Sequence, residues 1–346
     1  MQSSTPSERR AHHLRSTGAS LPSTRNSRKP QRRPLLGYGL ALLAAACWGA
    51  GGLTAKWLFT PASPATASWP IPPLGIVVEP IVLAGGRAVS AFVLLALALA
   101  IFRRRDLRVS VKEVPFLAVF GVAGLAMVHF TYFETISLTN VATAILLEYL
   151  APILVLIVGV AFMKHRFNWF LPLGVALSVG GCSLVVGAWG GGGVVVPPAG
   201  IAWGLSSAVF FAVYSLMGTV AADRYSPYTT LVWGLAFASL FWLLVLGPGR
   251  VLALFARPET AAAVVFMAVV STIVPFAAFL IALRHIAPTN ATVTSTVEPV
   301  IAGVGALLLF GESLSAFQIL GGLMVIAAIV IVQLSDRIGA SLPPGE

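Results

Sequence analysis

Two glutamates lie deep inside long apolar stretches of this sequence, where acidic residues are rare. Glu148 and Glu298 are each followed closely by a proline, Pro152 and Pro299. A charge near the centre of a bilayer costs about 2.5–3.5 kcal/mol on insertion scales. A proline removes a backbone donor and opens the helix, so freed carbonyl oxygens and the carboxyl can face one cavity. Such a carboxyl could exchange a proton near neutral pH or hold a cationic group; the alternative is a hydrogen bond that only packs two helices together.

Further polar and aromatic side chains in the apolar stretches are candidates for binding substrate or protons. Arg87 could be the counter-ion of a glutamate or of a substrate carboxylate, with a structural ion pair as the alternative. Lys56 could take part as well, or extend its ammonium to the membrane surface. The other candidates, for which core packing is the alternative, are His129, Tyr132, Trp48 and Tyr214. Pro275 joins Pro152 and Pro299 as a predicted helix kink or gate.

The sequence predicts neither a metal site nor a cofactor, and it carries no recognisable catalytic set. Its two cysteines, Cys47 and Cys182, lie in apolar stretches, and no ligating residues cluster with the spacing of a metal site. The patterns HExxH and GxSxG are missing. The run Gly190–Gly193 lacks the lysine and hydroxyl residue of a phosphate-binding loop, so we interpret it as a linker. We therefore expect a protein that is not an enzyme.

Composition indicates that a membrane holds these residues in place. The 346 residues are 58% hydrophobic and 10% charged, whereas soluble domains are about 25% charged. Too few polar groups are present to cover a soluble surface, which argues against a soluble enzyme, a secreted disulfide scaffold and a disordered chain. A hydrocarbon core of about 30 Å needs roughly 20 apolar residues per helix. By that measure ten helices cross the membrane, at 37–58, 76–102, 114–134, 138–162, 169–188, 199–221, 228–247, 261–282, 288–310 and 315–334.

The distribution of charge predicts how these helices are oriented. With the N-terminus in the cytoplasm, 18 of the 22 Lys and Arg residues fall on the cytoplasmic side and two fall outside, as the positive-inside rule requires. The net charge of +10 then reflects a disordered basic tail beside anionic lipid headgroups, and not a nucleic-acid-binding segment. We expect a multi-pass membrane protein with both termini in the cytoplasm.

The chain contains two related halves. Pro152 and Pro299 are 147 residues apart, and at this offset the last three helices of each half align without a gap. The predicted organisation is a basic tail (1–34), a first repeat (35–188), a Gly/Pro linker (189–198), a second repeat (199–334) and a cytoplasmic tail (335–346). Because five is odd, the second five-helix repeat must enter the membrane in the opposite direction. Inverted repeats are typical of secondary transporters, in which one half rocks against the other.

These features resemble the EamA family of the drug/metabolite transporter superfamily. The segments that carry the resemblance are Cys47-Trp48-Gly49-Ala50 with Lys56, Arg87, Leu147–Pro152, Ser271–Pro275, Glu298-Pro299-Val300 and Leu309–Glu312. The paired glutamates look most like the threonine/homoserine-exporter branch. The first repeat departs from the family pattern, since Lys164-His165 stands where the second repeat has Gly311-Glu312.

The resemblance implies an all-α membrane protein of two inverted five-helix repeats that exports small metabolites or drugs by proton antiport. Amino acids or related compounds are the first expectation for the substrate. The expected partners are that small molecule, protons and membrane lipids, in a monomer or a homodimer. Two alternatives stay open, a lipid or nucleotide-sugar carrier and a non-transporting scaffold subunit. An anionic nucleotide calls for more deep cations than Arg87 and Lys56, and a scaffold would not need two buried carboxylates.

Overall fold

The computed structural model describes residues 33–341, apart from 61, 68, 74, 77, 140, 164–167, 187–196 and 312–313. The predicted basic tail, up to residue 32, therefore lies outside the described residues. So do most of the predicted linker and the last five residues of the chain. Lys164, His165 and Glu312, on which the comparison of the two repeats partly depends, also lie outside them.

Every regular element in the described part of the chain is helical, which confirms the predicted all-α fold class. The first half contains α1 (Pro34–Phe59), α2 (Pro80–Phe102), α3 (Val114–Val119), α4 (Met127–Leu138), α5 (Val141–Glu148), α6 (Ala151–Ala161) and α7 (Phe170–Val185). The second half contains α8 (Pro198–Arg224), α9 (Pro227–Leu246), α10 (Pro248–Ala253), α11 (Pro258–Ala268), α12 (Val274–Ala282), α13 (Pro288–Ser295), α14 (Glu298–Phe310) and α15 (Ala316–Ser341). Short 3-10 turns lie at Pro64–Thr66, Arg104–Leu107 and Val111–Glu113.

These helices account for the predicted membrane spans. Within the described ranges, nine helical segments are long and apolar enough to cross a membrane, and α7 is a shorter apolar helix of 16 residues. Four of the nine combine two labelled helices: α3 with α4, α5 with α6, α11 with α12, and α13 with α14. Large apolar side chains point outward, including Phe102 (81% exposed), Phe162 (79%) and Leu244 (78%). A surface of this kind is suited to lipid and not to water.

Proline marks where seven of the fifteen labelled helices begin, whereas hydropathy predicts the helix ends less well. The N–H that a proline lacks would have no acceptor within the first helical turn, and the φ of proline is already helical. Helices that begin at a proline start at Pro34, Pro80, Pro198, Pro227, Pro248, Pro258 and Pro288. α15 continues to Ser341, beyond its predicted end at 334, because polar residues end the apolar run without a proline that would stop the helix.

The two halves interlock and do not form separate bundles. α1 packs against α12, α13 and α14 of the second half, and α8 packs in the same way against α4, α5 and α6 of the first. α2 lies against α9 and α11, while α7 packs along α15. The first helix of each repeat is thus surrounded by the third and fourth spans of the other.

Candidate functional site

Both glutamates lie at a break in a spanning helix. Glu148 is the last residue of α5, and the turn Tyr149-Leu150 separates it from α6. Glu298 is the first residue of α14, directly after the turn Thr296-Val297 that follows α13. The two turns are 147 residues apart, so they occupy equivalent positions in the two repeats. Each repeat therefore interrupts its fourth span at the same point, and each interruption carries one carboxylate.

The proline after each break explains why the helix cannot continue unchanged. Pro152 and Pro299 lack the N–H that would bond to the carbonyl four residues earlier, which for Pro299 is the carbonyl of Ser295. The Tyr149 hydroxyl, from the other break, donates to that oxygen over 3.0 Å. It also lies 2.5 Å from Oε2 of Glu298, to which it donates. Tyr149 thus satisfies an acceptor that the proline freed and fixes the neighbouring carboxylate.

Glu148 is held from a different side. The hydroxyl of Ser207, a fully buried residue on α8, donates to Oε2 of Glu148. The two glutamates are close enough to interact electrostatically, and both keep partial exposure among buried neighbours. Both residues are therefore partly accessible, although most of their neighbours are buried. No group of three or more His, Cys, Asp or Glu side chains in the described part of the chain could hold a metal ion.

Arg87 pairs with a histidine and not with either glutamate. Its Nη2 lies 3.3 Å from Nε2 of His129, whose Nδ1 lies 2.8 Å from the carbonyl oxygen of Leu125. A carbonyl can only accept, so Nδ1 carries the ring proton and Nε2 accepts from the guanidinium. His129 is therefore the neutral tautomer with its proton on Nδ1. The structure therefore contains no ion pair between Arg87 and Glu148 or Glu298, which both lie within the described residues.

A chain of aromatic rings connects the Arg87 end of the site with the Glu298 end. Phe276 lies 5.5 Å from the His129 ring and 5.4 Å from the Trp48 ring, measured between centroids. Trp48 continues to Phe211 over 6.2 Å, and Phe211 lies 6.4 Å from Tyr149, which binds Glu298. Most of these pairs meet edge to face, the arrangement that aromatic quadrupoles favour. The site therefore has charged groups at both ends and an aromatic wall between them.

The remaining predicted site residues divide between this site and its periphery. Tyr214 is fully buried behind the wall, stacked 6.2 Å from Phe211. Tyr132 is partly exposed and lies within electrostatic range of Arg87 and both glutamates. Lys56 lies elsewhere: its Nζ is 5.3 Å from the Phe310 ring at the C-terminal end of α14 and 5.9 Å from the Trp69 ring.

Pro275, a predicted kink or gate, follows a π-helical turn. The π turn at Val269–Ile273 has a counterpart at Phe120–Ala126 in the first repeat, again at the 147-residue offset. The first repeat has Val128 at the position of Pro275, so proline is not required for this turn. π turns concentrate at functional sites. Here they shape the walls of the third and eighth spans, which carry His129 and Phe276 just beyond them.

Comparison with known proteins identifies the family. The family described as the EamA-like transporter family matches residues 35–187 and, a second time, residues 198–334. The chain belongs to the EamA-like transporter family. It is thus a multi-pass membrane protein and a transporter of the drug/metabolite transporter type. The double match also agrees with the internal repeat seen in the helix breaks.

Relatives of this EamA protein are themselves named as transporters. An uncharacterized transporter of Archaeoglobus fulgidus is 27% identical, over 60% of this chain and 74% of that one. The uncharacterized inner membrane transporter YicL of Salmonella typhimurium is 24% identical, over 65% of this chain and 75% of that one. A protein crystal structure with 19% identity has the same fold, with a TM-score of 0.70 over 89% of this chain and 100% of that one.

The structure of this EamA protein adds two residues that the sequence analysis did not select. Tyr149 binds Glu298, and Ser207 binds Glu148. A signal for Tyr149 exists in the sequence, because Pro299 frees a carbonyl that needs a new donor and Tyr149 lies in the equivalent turn. Ser207 gives no comparable signal, since its role depends on which helix packs beside Glu148.

Proposed function

We propose that this protein is a proton-coupled secondary transporter that exports small metabolites, such as amino acids or related compounds, or drugs across the bacterial cytoplasmic membrane. One observation carries the proposal: each repeat breaks its fourth span at the equivalent position and places a carboxylate at the break. Broken helices that meet near the midplane are where secondary transporters bind substrates and coupling ions. The glutamate pair resembles that of the threonine/homoserine-exporter branch, so threonine and homoserine are the first substrates to test.

The two carboxylates occupy opposite ends of their half-helices, which supports different roles. Glu148 closes α5 and lies at the negative end of that helix dipole, whereas Glu298 lies in the first turn of α14, at the positive end. In our proposal Glu298 keeps its charge and holds a cationic group of the substrate. Glu148 takes up and releases the coupling proton.

The interlocked packing supports a specific movement for alternating access. In our proposal α1 moves with α12, α13 and α14, and α8 moves with α4, α5 and α6, the helices with which α1 and α8 have their most extensive contacts. Tyr149 and Glu298 belong to different groups, so their hydrogen bond joins the two groups at the centre of the protein. A cationic substrate group at Glu298 would compete with the Tyr149 hydroxyl for the carboxylate. Substrate binding would in this way loosen the central contact and allow the groups to move.

Uptake by proteoliposomes under an imposed pH gradient tests this function. The full chain is reconstituted in vesicles of phosphatidylethanolamine and phosphatidylglycerol and supplied with labelled threonine, homoserine, other amino acids and cationic drugs. We expect gradient-dependent movement of at least one compound, lost in Glu298→Gln and in Glu148→Gln. Glu259→Gln, at an exposed carboxylate in the first turn of α11, is the matched control and should transport normally. If no compound responds to the gradient, the proposed function is wrong.

A further inference from the structure

Arg87 is a cation inside the membrane-spanning part of the protein that has no anionic partner among the described residues. The ion pairs in that part of the chain, Arg103 with Asp106 and Arg250 with Glu79, lie near the ends of α2. Among the residues that the structure describes, the side chain hydrogen-bonded to Arg87 is that of His129. The Nε of Arg87 is buried and makes no hydrogen bond to any described residue. The guanidinium therefore has donors that the protein leaves unused.

A guanidinium in this position needs a negative charge from another source. Leaving one partner of a buried ion pair without the other is strongly destabilising. Neutral His129 supplies an acceptor but no charge, and the two glutamates already accept from Ser207 and Tyr149. A small cavity of about 10 Å³ opens beside the guanidinium, lined also by Thr272 and Phe276, with room for about one water molecule. An unsatisfied cation, a fixed neutral acceptor and a cavity are the elements of an anion subsite.

We propose that Arg87, oriented by His129, binds the carboxylate of the transported substrate. This inference rests on the proposed transport function and names its substrate class: zwitterionic amino acids and related amino carboxylates, and not purely cationic drugs. The planar guanidinium donates two parallel N–H bonds to a carboxylate, which a point charge cannot do. The substrate's side chain then lies along the aromatic wall formed by Phe276, Trp48 and Phe211.

The position of His129 gives it a positioning role. Its Nδ1 is anchored to the Leu125 carbonyl, so Nε2 points at the guanidinium and occupies one donor, Nη2. The Nε–H of Arg87, which lies beside Nη2, has no acceptor within the described ranges and stays available for the substrate. Because His129 is neutral, it fixes the guanidinium without competing for the substrate's negative charge.

Thermal unfolding of the full chain in detergent micelles and chloride-free buffer tests the subsite independently of transport. The probes are threonine, leucine and phenylalanine, each beside its amide and its decarboxylated amine. We expect the acids to raise the melting temperature. The amides and amines should need an at least about tenfold higher concentration for the same rise, because hydrogen bonds to charged groups are worth that much or more. Equal effects of acids and amides would overturn the subsite. Stabilisation by added chloride but by none of the acids would overturn it as well.

Variants locate the effect at Arg87. Arg87→Gln should lose the preference for acids over amides, and Arg87→Lys should keep part of it because the charge remains without the planar fork. Arg257→Gln, at an exposed arginine before α11, is the control and should keep the full preference. Persistence of the preference in a folded Arg87→Gln would overturn the assignment. If Arg87→Gln does not fold, the comparison of acids and amides on the intact protein still decides.

The transport arm separates failure of the subsite from failure of the proposed function. In proteoliposomes we expect the acids to move in response to the gradient and the matched amides to move at least about tenfold more slowly. Gradient-driven transport of amides at the rate of acids would leave the transporter in place and refute the carboxylate subsite. Preferential binding of acids without any transport would support the subsite and refute the transport function.

Discussion

Removing the Tyr149 hydroxyl should weaken both the protein and its transport. Tyr149→Phe deletes the donor to the Ser295 carbonyl, at 3.0 Å, and to Glu298 Oε2, at 2.5 Å. The carbonyl has no helical donor to replace it, because Pro299 stands four residues later. A buried acceptor left without a partner costs about 1–3 kcal/mol, and a bond to an ionised group contributes about 1.5–3 kcal/mol. One hydroxyl serves both, so we expect a loss of about 2–3 kcal/mol in the free energy of unfolding.

The functional effect follows from the carboxylate that the hydroxyl fixes. Without its donor, Glu298 loses the contact that joins α5 and α6 to α14. We expect gradient-driven transport to fall by about tenfold or more, since a misplaced binding group of this kind costs at least one charged hydrogen bond. Unfolding in mixed detergent micelles gives the stability, and uptake by proteoliposomes gives the rate.

Tyr38 provides a matched control for this experiment. It is as buried as Tyr149, donates to the Val332 carbonyl at 3.2 Å, and accepts from Asn290 at 2.9 Å, but it lies at the N-terminal end of α1, away from both glutamates. Tyr38→Phe should destabilise by a similar amount while transport per folded molecule is retained. The reasoning is refuted if Tyr149→Phe leaves stability and transport unchanged, or if both variants lower transport equally.

Two further predictions concern contacts outside the site. Asp106→Asn should lower the free energy of unfolding by about 1–2 kcal/mol. Asp106 accepts a hydrogen bond from Ser226 at 2.6 Å and so connects the turn after α2 to the beginning of α9. An unchanged unfolding curve would contradict this. Gly181→Ala should destabilise by about 1–3 kcal/mol, because a Cβ there would lie 2.7 Å from the Gly321 carbonyl oxygen on α15, whereas Gly52→Ala has nothing within 4 Å and should not destabilise. Equal stability of the two glycine variants would show that α7 and α15 do not pack as closely as described.

The helices and their breaks could be predicted because both depend on local features of the sequence. Long apolar runs predict the spans, and the missing N–H groups of Pro152 and Pro299 predict interruptions beside Glu148 and Glu298. The equivalent spacing of the two prolines also indicates that the interruptions belong to one repeated design. These conclusions require no knowledge of which helix packs beside which.

The arrangement around the charges could not be predicted, because it depends on packing between distant segments. The spans are apolar on nearly every side, so their pattern does not reveal which face meets a given neighbour. Arg87 and His129 are 42 residues apart, and Ser207 and Glu148 are 59 residues apart. The packing of α1 against the second half, and of α8 against the first, could not be predicted for the same reason. For this reason the glutamates could be selected from the sequence, but their partners could not.

The pH change inside vesicles when substrate is added tests the central role of the two carboxylates most directly. A pH-sensitive dye trapped in proteoliposomes, with no gradient imposed, reports protons that move in exchange for substrate. The intact protein should move protons when a transported amino acid is added, and the double variant Glu148→Gln with Glu298→Gln should not. A substrate-dependent pH change of the same size in that variant would show that the coupling groups lie elsewhere.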